Sequence, residues 1–521
     1  MNYHPLRTQG MSHYIFRKTD TIGNLDAETD TFLTDCFLES DVYKSLVKFD
    51  DDNDFVKRII IGRTGSGKTA LLKQLSLDGK IKKHDVIEAE STVFEHIKNN
   101  VFISQLMENG VDLRVFYKSL WQHVLLVKVI DLLYSTNDSF LDSLAEFGAG
   151  RSKKYNLESA REYVDTFRHS FFNDNIVAEI TDKMQHELSS TLGLPVLKVG
   201  GKGSNESTEK IQRVTSRYVS SELLRKQKEL IKLIKEESVN EKQMRIIISI
   251  DDLDKSWLSS SQIRYDFINA LMDAFKELFD IKSVKILISI RTDIIMGIYR
   301  DNLRQEEKDK SLIIPIDWNV AEIRKILDSR INHLIKHQYA GKEVVSFSDI
   351  FNFEVNGQNV DDFILSRTML RPRDAIDFIN LCLSEANGET SLSEDLVLAA
   401  EEKFYHSRKQ AMIKEWVSFY SHIKDYLDCI SFIRTPCFKI KDVSAKDKIQ
   451  EYLINRSVID DSEKHNDIAL EFEKLMNVWF CIGIIGIKKS ATLTIYSSFE
   501  KPFLDITDLN KEFSIHPLFF R

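Results

Sequence analysis

The sequence predicts an α/β protein: a P-loop-type parallel sheet with a helical insertion, a helical lid and a C-terminal winged-helix-like domain. Three observations carry that reading. Residues 56–61, 245–250 and 284–290 are short runs, apolar nearly throughout, as strands buried on both faces are. A helical pattern over 263–279 separates the last two, giving the strand–helix–strand order of a doubly wound sheet. The first run leads into a glycine-rich loop, and residues 70–77 continue from it as a helix.

The other elements follow from periodicity. Residues 112–134 carry apolar side chains at helical spacing; Arg114, Lys118 and Lys128 within them argue against a membrane span. Residues 135–242 read as amphipathic helices, interrupted by the flexible stretch VGGKGSNEST at 199–208. One long charged helix is expected over 211–237. Residues 320–339, 366–386 and 396–433 look helical, and 468–480 leads through IGIIGIKK and a polar turn into TLTIYSSF, a hairpin pattern. The expected organisation is a core in two parts (1–134 and 244–318), an insertion (135–243), a lid (319–410) and a winged-helix-like C-terminal domain (411–521).

Bulk composition narrows the class. A chain of 521 residues exceeds one hydrophobic core. With 32 Phe but only 19 Gly and 7 Pro, long helices with aromatic packing are favoured over a turn-rich β protein. A net charge of −9 argues against a uniformly basic nucleic-acid coat. The cysteines Cys36, Cys382, Cys429, Cys437 and Cys481 show no C-x-x-C spacing, so neither a zinc site nor a disulfide framework is expected. The N-terminal stretch lacks a continuous apolar core, and the strongest apolar run, 478–487, is too short to cross a bilayer. A cytoplasmic protein without a membrane segment is expected.

Gly62, Arg63, Thr64, Gly65, Ser66, Gly67, Lys68 and Thr69 fit G-x-x-x-x-G-K-[ST] without a mismatch, between a strand and a helix. Such glycines let backbone N–H groups converge on phosphates, and the helix beginning at Ala70 adds partial positive charge. Lys68 would neutralise the β- and γ-phosphates, and the Thr69 hydroxyl would take a place on Mg²⁺. The second apolar run ends in Asp251, Asp252, Leu253 and Asp254. Asp251 would hold the magnesium, and Asp252 would orient or deprotonate the attacking water. Asp254 would brace the loop or cap the next helix. Arg291 ends the third run; it either senses the γ-phosphate or pairs with Asp293. Arg371 and Arg373 open a helix at R-P-R-D, as lid arginines reaching back to the phosphates or as solvated helix-start residues. Arg300 and Arg304 are candidates for an arginine acting in trans. With no N-K-x-D stretch after the second motif, ATP is the expected nucleotide.

These motifs resemble the KAP and STAND branches of P-loop NTPases, relatives of the AAA+ class. The second motif reads hhhhDDLD as in KAP proteins, LISIRTD resembles a STAND sensor arginine, and RPRDAIDFIN is similar to KAP-type lids. The resemblance also implies a large insertion between the first two motifs, here 251 − 68 = 183 residues apart. KAP insertions typically hold membrane helices, and this one does not. FYKSLWQHVLLVKVIDLLY and FSIHPLFFR give a narrower resemblance to bacterial anti-phage defence ATPases. It implies an oligomeric, ATP-switched regulator acting on a protein effector or sensor partner. The alternatives are a DNA-transacting ATPase holding duplex DNA on the winged helix, or a scaffold that binds ATP and seldom hydrolyses it. The acidic Asp460, Asp461, Glu463 and Asp467 near the wing weigh against DNA there; the basic segments 151–154 and 225–235 are other routes to it.

Overall fold

A computed structural model describes residues 15–48, 58–89, 97, 99–134, 139–142, 154–167, 171–172, 176–192, 205–238, 245–251, 253, 261–300, 306–339, 344–417, 419–456, 468, 470–491, 493–504 and 511–521. The chain divides into two compact units, one formed by residues 41–61 and 74–314, the other by 1–40, 62–73 and 315–521.

The first unit is built on a five-stranded sheet. Its strands are β1 (Ile59–Gly62), β2 (Lys83–Glu88), β3 (Ile246–Asp251), β4 (Val284–Arg291) and β5 (Ile313–Pro315), in the order β2-β3-β4-β1-β5. Strands β2, β3 and β4 are parallel, with Ile87 opposite Ile250 and Ile250 opposite Ile288. The three strands read from the sequence are buried nearly throughout, as strands of a parallel sheet are. Arg58, just before β1, is almost fully buried with its guanidinium 4.3 Å from the Phe279 ring centre. Its backbone N–H donates to Leu312 O and its carbonyl accepts from Ile288, which fixes the start of β1 between β4 and β5.

The long helix of this unit is α2 (Arg114–Leu133), packed on α7 (Ser261–Lys276). Trp121, fully buried, donates its indole N–H to Phe267 O at 3.2 Å. The insertion supplies α3 (Lys154–Thr166), α4 (Ile176–Leu192), α5 (Asn205–Tyr218) and α6 (Arg225–Ser238). The expected single helix over 211–237 is one helical run containing a π-helical segment at Val219–Leu224. Its buried residues Ile211, Thr215, Val219, Leu223, Gln227 and Ile231 recur every fourth position. On an α-helix such spacing drifts about 40° per step, and the wider π turn absorbs the drift. Most of the stretch read as a flexible linker, 199–208, lies outside the described residues.

The second unit begins with residues 15–40, held by Arg330, whose guanidinium donates to Asp30 Oδ2 at 2.6 Å and Ile22 O at 2.8 Å. Its helices α8 (Val320–Gln338), α9 (Pro372–Glu385) and α10 (Glu394–Trp416) form the helical region expected after the core. A small hairpin, β6 (Glu354–Val355) with β7 (Gln358–Asn359), lies between α8 and α9 in sequence. The helical pattern read over 396–433 is broken: α10 stops at Trp416, and a short helix Ile423–Asp428 follows.

At the C-terminal end, α11 (Phe472–Ile482) accompanies a four-stranded antiparallel sheet. Its strands are β8 (Cys437–Lys439), β9 (Ile485–Lys488), β10 (Thr494–Ile495) and β11 (Glu512–Ile515), in the order β10-β9-β11-β8. The hairpin read from the sequence is β9–β10, with Lys488 opposite Thr494. Among the described residues, no helix is long and apolar enough to cross a membrane.

Candidate nucleotide site

The glycine-rich loop follows β1, whose four residues are all buried, and enters α1 (Lys68–Leu77). Gly65 and Gly67 have φ of +81° and +94°, a region that costs a side-chain-bearing residue energy. A Cβ on Gly62 would stand 2.2 Å from Ser66 Oγ, so that position requires glycine for space. The Lys68 ammonium folds over the loop, donating to Gly62 O at 3.0 Å and Arg63 O at 3.3 Å. The hydroxyls of Thr64 and Ser66 are buried without a hydrogen-bond partner. A bare-backbone cradle, a lysine folded across it and orphan hydroxyls within it fit a polyphosphate. Thr69 and Ala70 form the first turn of the helix behind the loop.

The helical region engages this loop through its carbonyls. Trp318 donates its indole N–H to Ser66 O at 2.8 Å. The Arg373 backbone N–H donates to Gly65 O at 3.3 Å, and Arg371 Nη1 donates to Thr64 O at 3.2 Å. Arg373 is exposed and its Nε reaches Leu25 O, while Lys73 of α1 donates to Ala27 O and Glu28 O. Arg371 is the N-cap residue of α9, and Pro372 occupies the first turn, as its fixed φ favours.

Arg371 is buried rather than solvated. It follows Met369 and Leu370, both at φ near +50°, a conformation that costs each about 1 kcal/mol or more. That strained turn delivers Arg371 into a buried charge cluster. Arg371 Nη1 stands 3.8 Å from Glu415 Oε2, and Arg408 reaches Glu415 at 3.4 Å and Asp374 at 3.0 Å. Burial, then the neighbouring Arg408, pulls the Arg371 pKa down to about 10, which still leaves it charged at any physiological pH.

The acidic motif lies in the other unit. Asp251 ends β3 and is half-buried; Asp252 and Asp254 lie outside the described residues. Arg291 ends β4 and is held by Asp293 through two bonds, Nε to Oδ1 at 2.9 Å and Nη2 to Oδ2 at 2.7 Å. Arg304 and the side chain of Arg300 lie outside the described residues. Sequence reasoning missed Trp318, Glu415 and the backbone of residues 25–28. Trp318 directly precedes Asn319, the N-cap of α8, so a tryptophan beside a capping residue was the available signal. Nothing local marked the others.

A model of the KAP family P-loop domain matches residues 42–313, just over half of the chain. The chain belongs to the KAP family of P-loop NTPases. As a KAP protein it has the parallel sheet and phosphate-binding loop that the sequence pointed to, and the family implies nucleotide binding with Mg²⁺. A model of the FunZ-associated C-terminal helical domain matches residues 321–413, which hold all of α9 and most of α8 and α10. The KAP chain is also similar to the transposon gamma-delta 80.3 kDa protein of Escherichia coli (strain K12), 21% identical over 428 residues. That match covers 79% of this chain and 53% of the relative, so the chain spans about half the length of the curated protein it matches. No solved structure matches.

Proposed function

We propose that this KAP protein is an ATP-hydrolysing switch whose nucleotide loop is read by its helical and C-terminal regions. The observation that carries this reading is the set of three successive loop carbonyls, Thr64, Gly65 and Ser66, taken by Arg371, Arg373 and Trp318. A loop that only held nucleotide would need no such partners. Here a change in the loop's conformation is felt at the N-terminus of α9 and at the residue before α8.

Bound magnesium would draw charge from the phosphate oxygens as the terminal bond breaks. Lys68 would exchange its two backbone carbonyls for phosphate oxygens, and Thr69 and Asp251 are the residues assigned to the metal. Asp252 is assigned to orient the attacking water. Its side chain is about one methylene shorter than a Glu, which favours slow turnover and a long-lived ATP state. Arg291 would sense the γ-phosphate by leaving Asp293. The cellular role we propose is regulatory: a homo-oligomer in the cytoplasm of a bacterial defence system, controlling a protein effector.

A second reading, a DNA-transacting ATPase with the C-terminal region as a winged helix, is favoured by the likeness to a transposon protein. One experiment separates the two. ATP hydrolysis is measured for the wild type, Lys68→Ala and Asp252→Asn, each with and without duplex DNA. Slow hydrolysis indifferent to DNA, lost in both variants while Asp252→Asn still binds ATP, is the expected outcome. Strong stimulation by DNA would favour the second reading, and unchanged turnover in both variants would overturn the site.

A further inference from the structure

The phosphate-loop motif leaves its second position unspecified, and in this chain that position is Arg63. Its guanidinium does not point along the loop. Nη2 donates to Cys481 O at 2.9 Å and to Ser497 O at 3.2 Å, and Nη1 donates to Ile482 O at 3.3 Å. Cys481 and Ile482 are the last two residues of α11.

The last four carbonyls of a helix have no partner within it. In α11 those are Trp479, Phe480, Cys481 and Ile482. The left-handed Gly483, at φ +90°, lets the chain turn back so that its own N–H takes Phe480 O at 2.9 Å and the Ile484 N–H takes Trp479 O at 2.8 Å. Arg63 takes the other two. A cation at a helix C-terminus also meets the negative end of the macrodipole. The fit is close: a Cβ on residue 483 would stand 2.9 Å from Arg63 Nη1, so a side chain there would displace the guanidinium as well as strain the left-handed φ. The helix end is therefore completed by a residue some 420 positions earlier (481 − 63 = 418), inside the phosphate loop.

The same residue touches the phosphate-binding lysine. Lys68 Nζ and the Ser66 N–H both donate to the Arg63 carbonyl, at 3.3 and 3.1 Å. Phosphates that recruit Lys68 compete for a donor now spent on the Arg63 backbone. The side chain of that residue holds α11, and β9, entered directly through Gly483, carries the central pairing of the C-terminal sheet.

We propose that Arg63 is a positioning residue that couples nucleotide occupancy of the phosphate loop to the seating of α11 and the C-terminal sheet. This rests on the nucleotide reading of the loop. Coupling of this kind is reciprocal: whatever factor nucleotide imposes on the seating of α11, loss of that seating imposes on nucleotide affinity.

The test uses the full chain as wild type, Arg63→Ala, Arg63→Lys and Gly483→Ala. Hydrogen exchange of peptides spanning 479–497 is followed with and without magnesium and a fluorescent ATP analogue, whose affinity is titrated in parallel. In the wild type, the analogue should change exchange at 481–486 several-fold. In Arg63→Ala and Gly483→Ala that difference should vanish, and analogue affinity should shift by about fivefold or more. Arg63→Lys, which keeps the charge but not the fork, should lie between them. A merely structural arginine would raise exchange equally with and without the analogue and leave affinity unmoved. That result overturns the coupling. Failure of the wild type to bind the analogue at all overturns the nucleotide reading, and the coupling with it.

Discussion

At the scale of single residues, Arg371 shows how a charge is kept where water cannot reach it. Its guanidinium is shared between the Thr64 carbonyl and Glu415, and Arg408 closes the cluster by bridging Glu415 to Asp374. Breaking a buried ion pair typically costs about 3–5 kcal/mol because one charge is stranded. In Arg371→Ala the Glu415 carboxylate retains Arg408, so the expected loss is smaller, about 2–3 kcal/mol in urea denaturation. Affinity for an ATP analogue should fall as well, because Thr64 loses the donor that orients its peptide. A stability loss with unchanged nucleotide affinity would reduce Arg371 to a packing role. The sequence offered two readings of this arginine, lid contact or solvated helix start, and could not choose. The choice depends on Glu415 and Thr64, dozens to hundreds of residues away.

At the scale of elements, the helix over 320–339 was legible from its spacing, and the structure shows the local capping chemistry that sets its start. Asn319 accepts from the Glu322 N–H at 3.0 Å, and Glu322 accepts from the Asn319 N–H at 3.0 Å, a capping box that starts α8. Asn319→Ala should cost about 1 kcal/mol in thermal or urea unfolding. It should also loosen Trp318 on the Ser66 carbonyl, which intrinsic tryptophan fluorescence on nucleotide titration would report. An unchanged midpoint would mean the cap is redundant. Strands β1, β3 and β4 were legible as apolar runs, whereas β2 was not. β2 has an exposed or half-buried residue at every position but Ile87, because it is at the edge of the sheet, so KHDVIE carries no pattern to read. β5 is three residues long, too short for any periodicity. The π segment within the insertion was invisible for another reason: it corrects the register of a four-residue repeat that looks like an ordinary helix on paper.

At the scale of the whole molecule, the phosphate loop could be read because its chemistry is compressed into consecutive residues, while of the three motif aspartates only Asp251, at the end of β3, is among the described residues. The engagement of that loop by Trp318, Arg371 and Arg63 could not be read, since folding alone brings those partners together. The same separation governs pH stability: among the described residues, His123 in one unit and His516 in the other are buried neutral. His123 is flanked by the Tyr163 hydroxyl at 2.7 Å and Phe171 O at 3.1 Å, and burial pulls its pKa down to about 4. The Phe171 carbonyl can only accept, so Nε2 must carry the proton and Nδ1 accepts from Tyr163. His516 accepts the Leu518 N–H on Nδ1, and burial, with Arg367 and Arg371 nearby, pulls its pKa down to about 3. Both values lie below the ordinary histidine value of about 6.5, so the unfolded chain binds the protons first as pH falls. Stability from these groups is therefore complete above about pH 6.5 and lost progressively toward pH 3–4, by up to about 1.4 kcal/mol per pH unit for each histidine. Asp377 opposes this in part, because burial lifts its pKa to about 6 and its contribution falls as pH rises from about 4 to 6. Below about pH 6.5 the histidines and Asp377 therefore act together and in opposite directions, and variants that remove one imidazole at a time separate them. Chemical denaturation at stepped pH should show stability falling less steeply in His123→Asn and in His516→Asn than in the wild type, by about half a proton each near pH 6.5 and close to one near pH 5. Equal slopes in the wild type and both variants would mean that neither imidazole is held neutral by the fold.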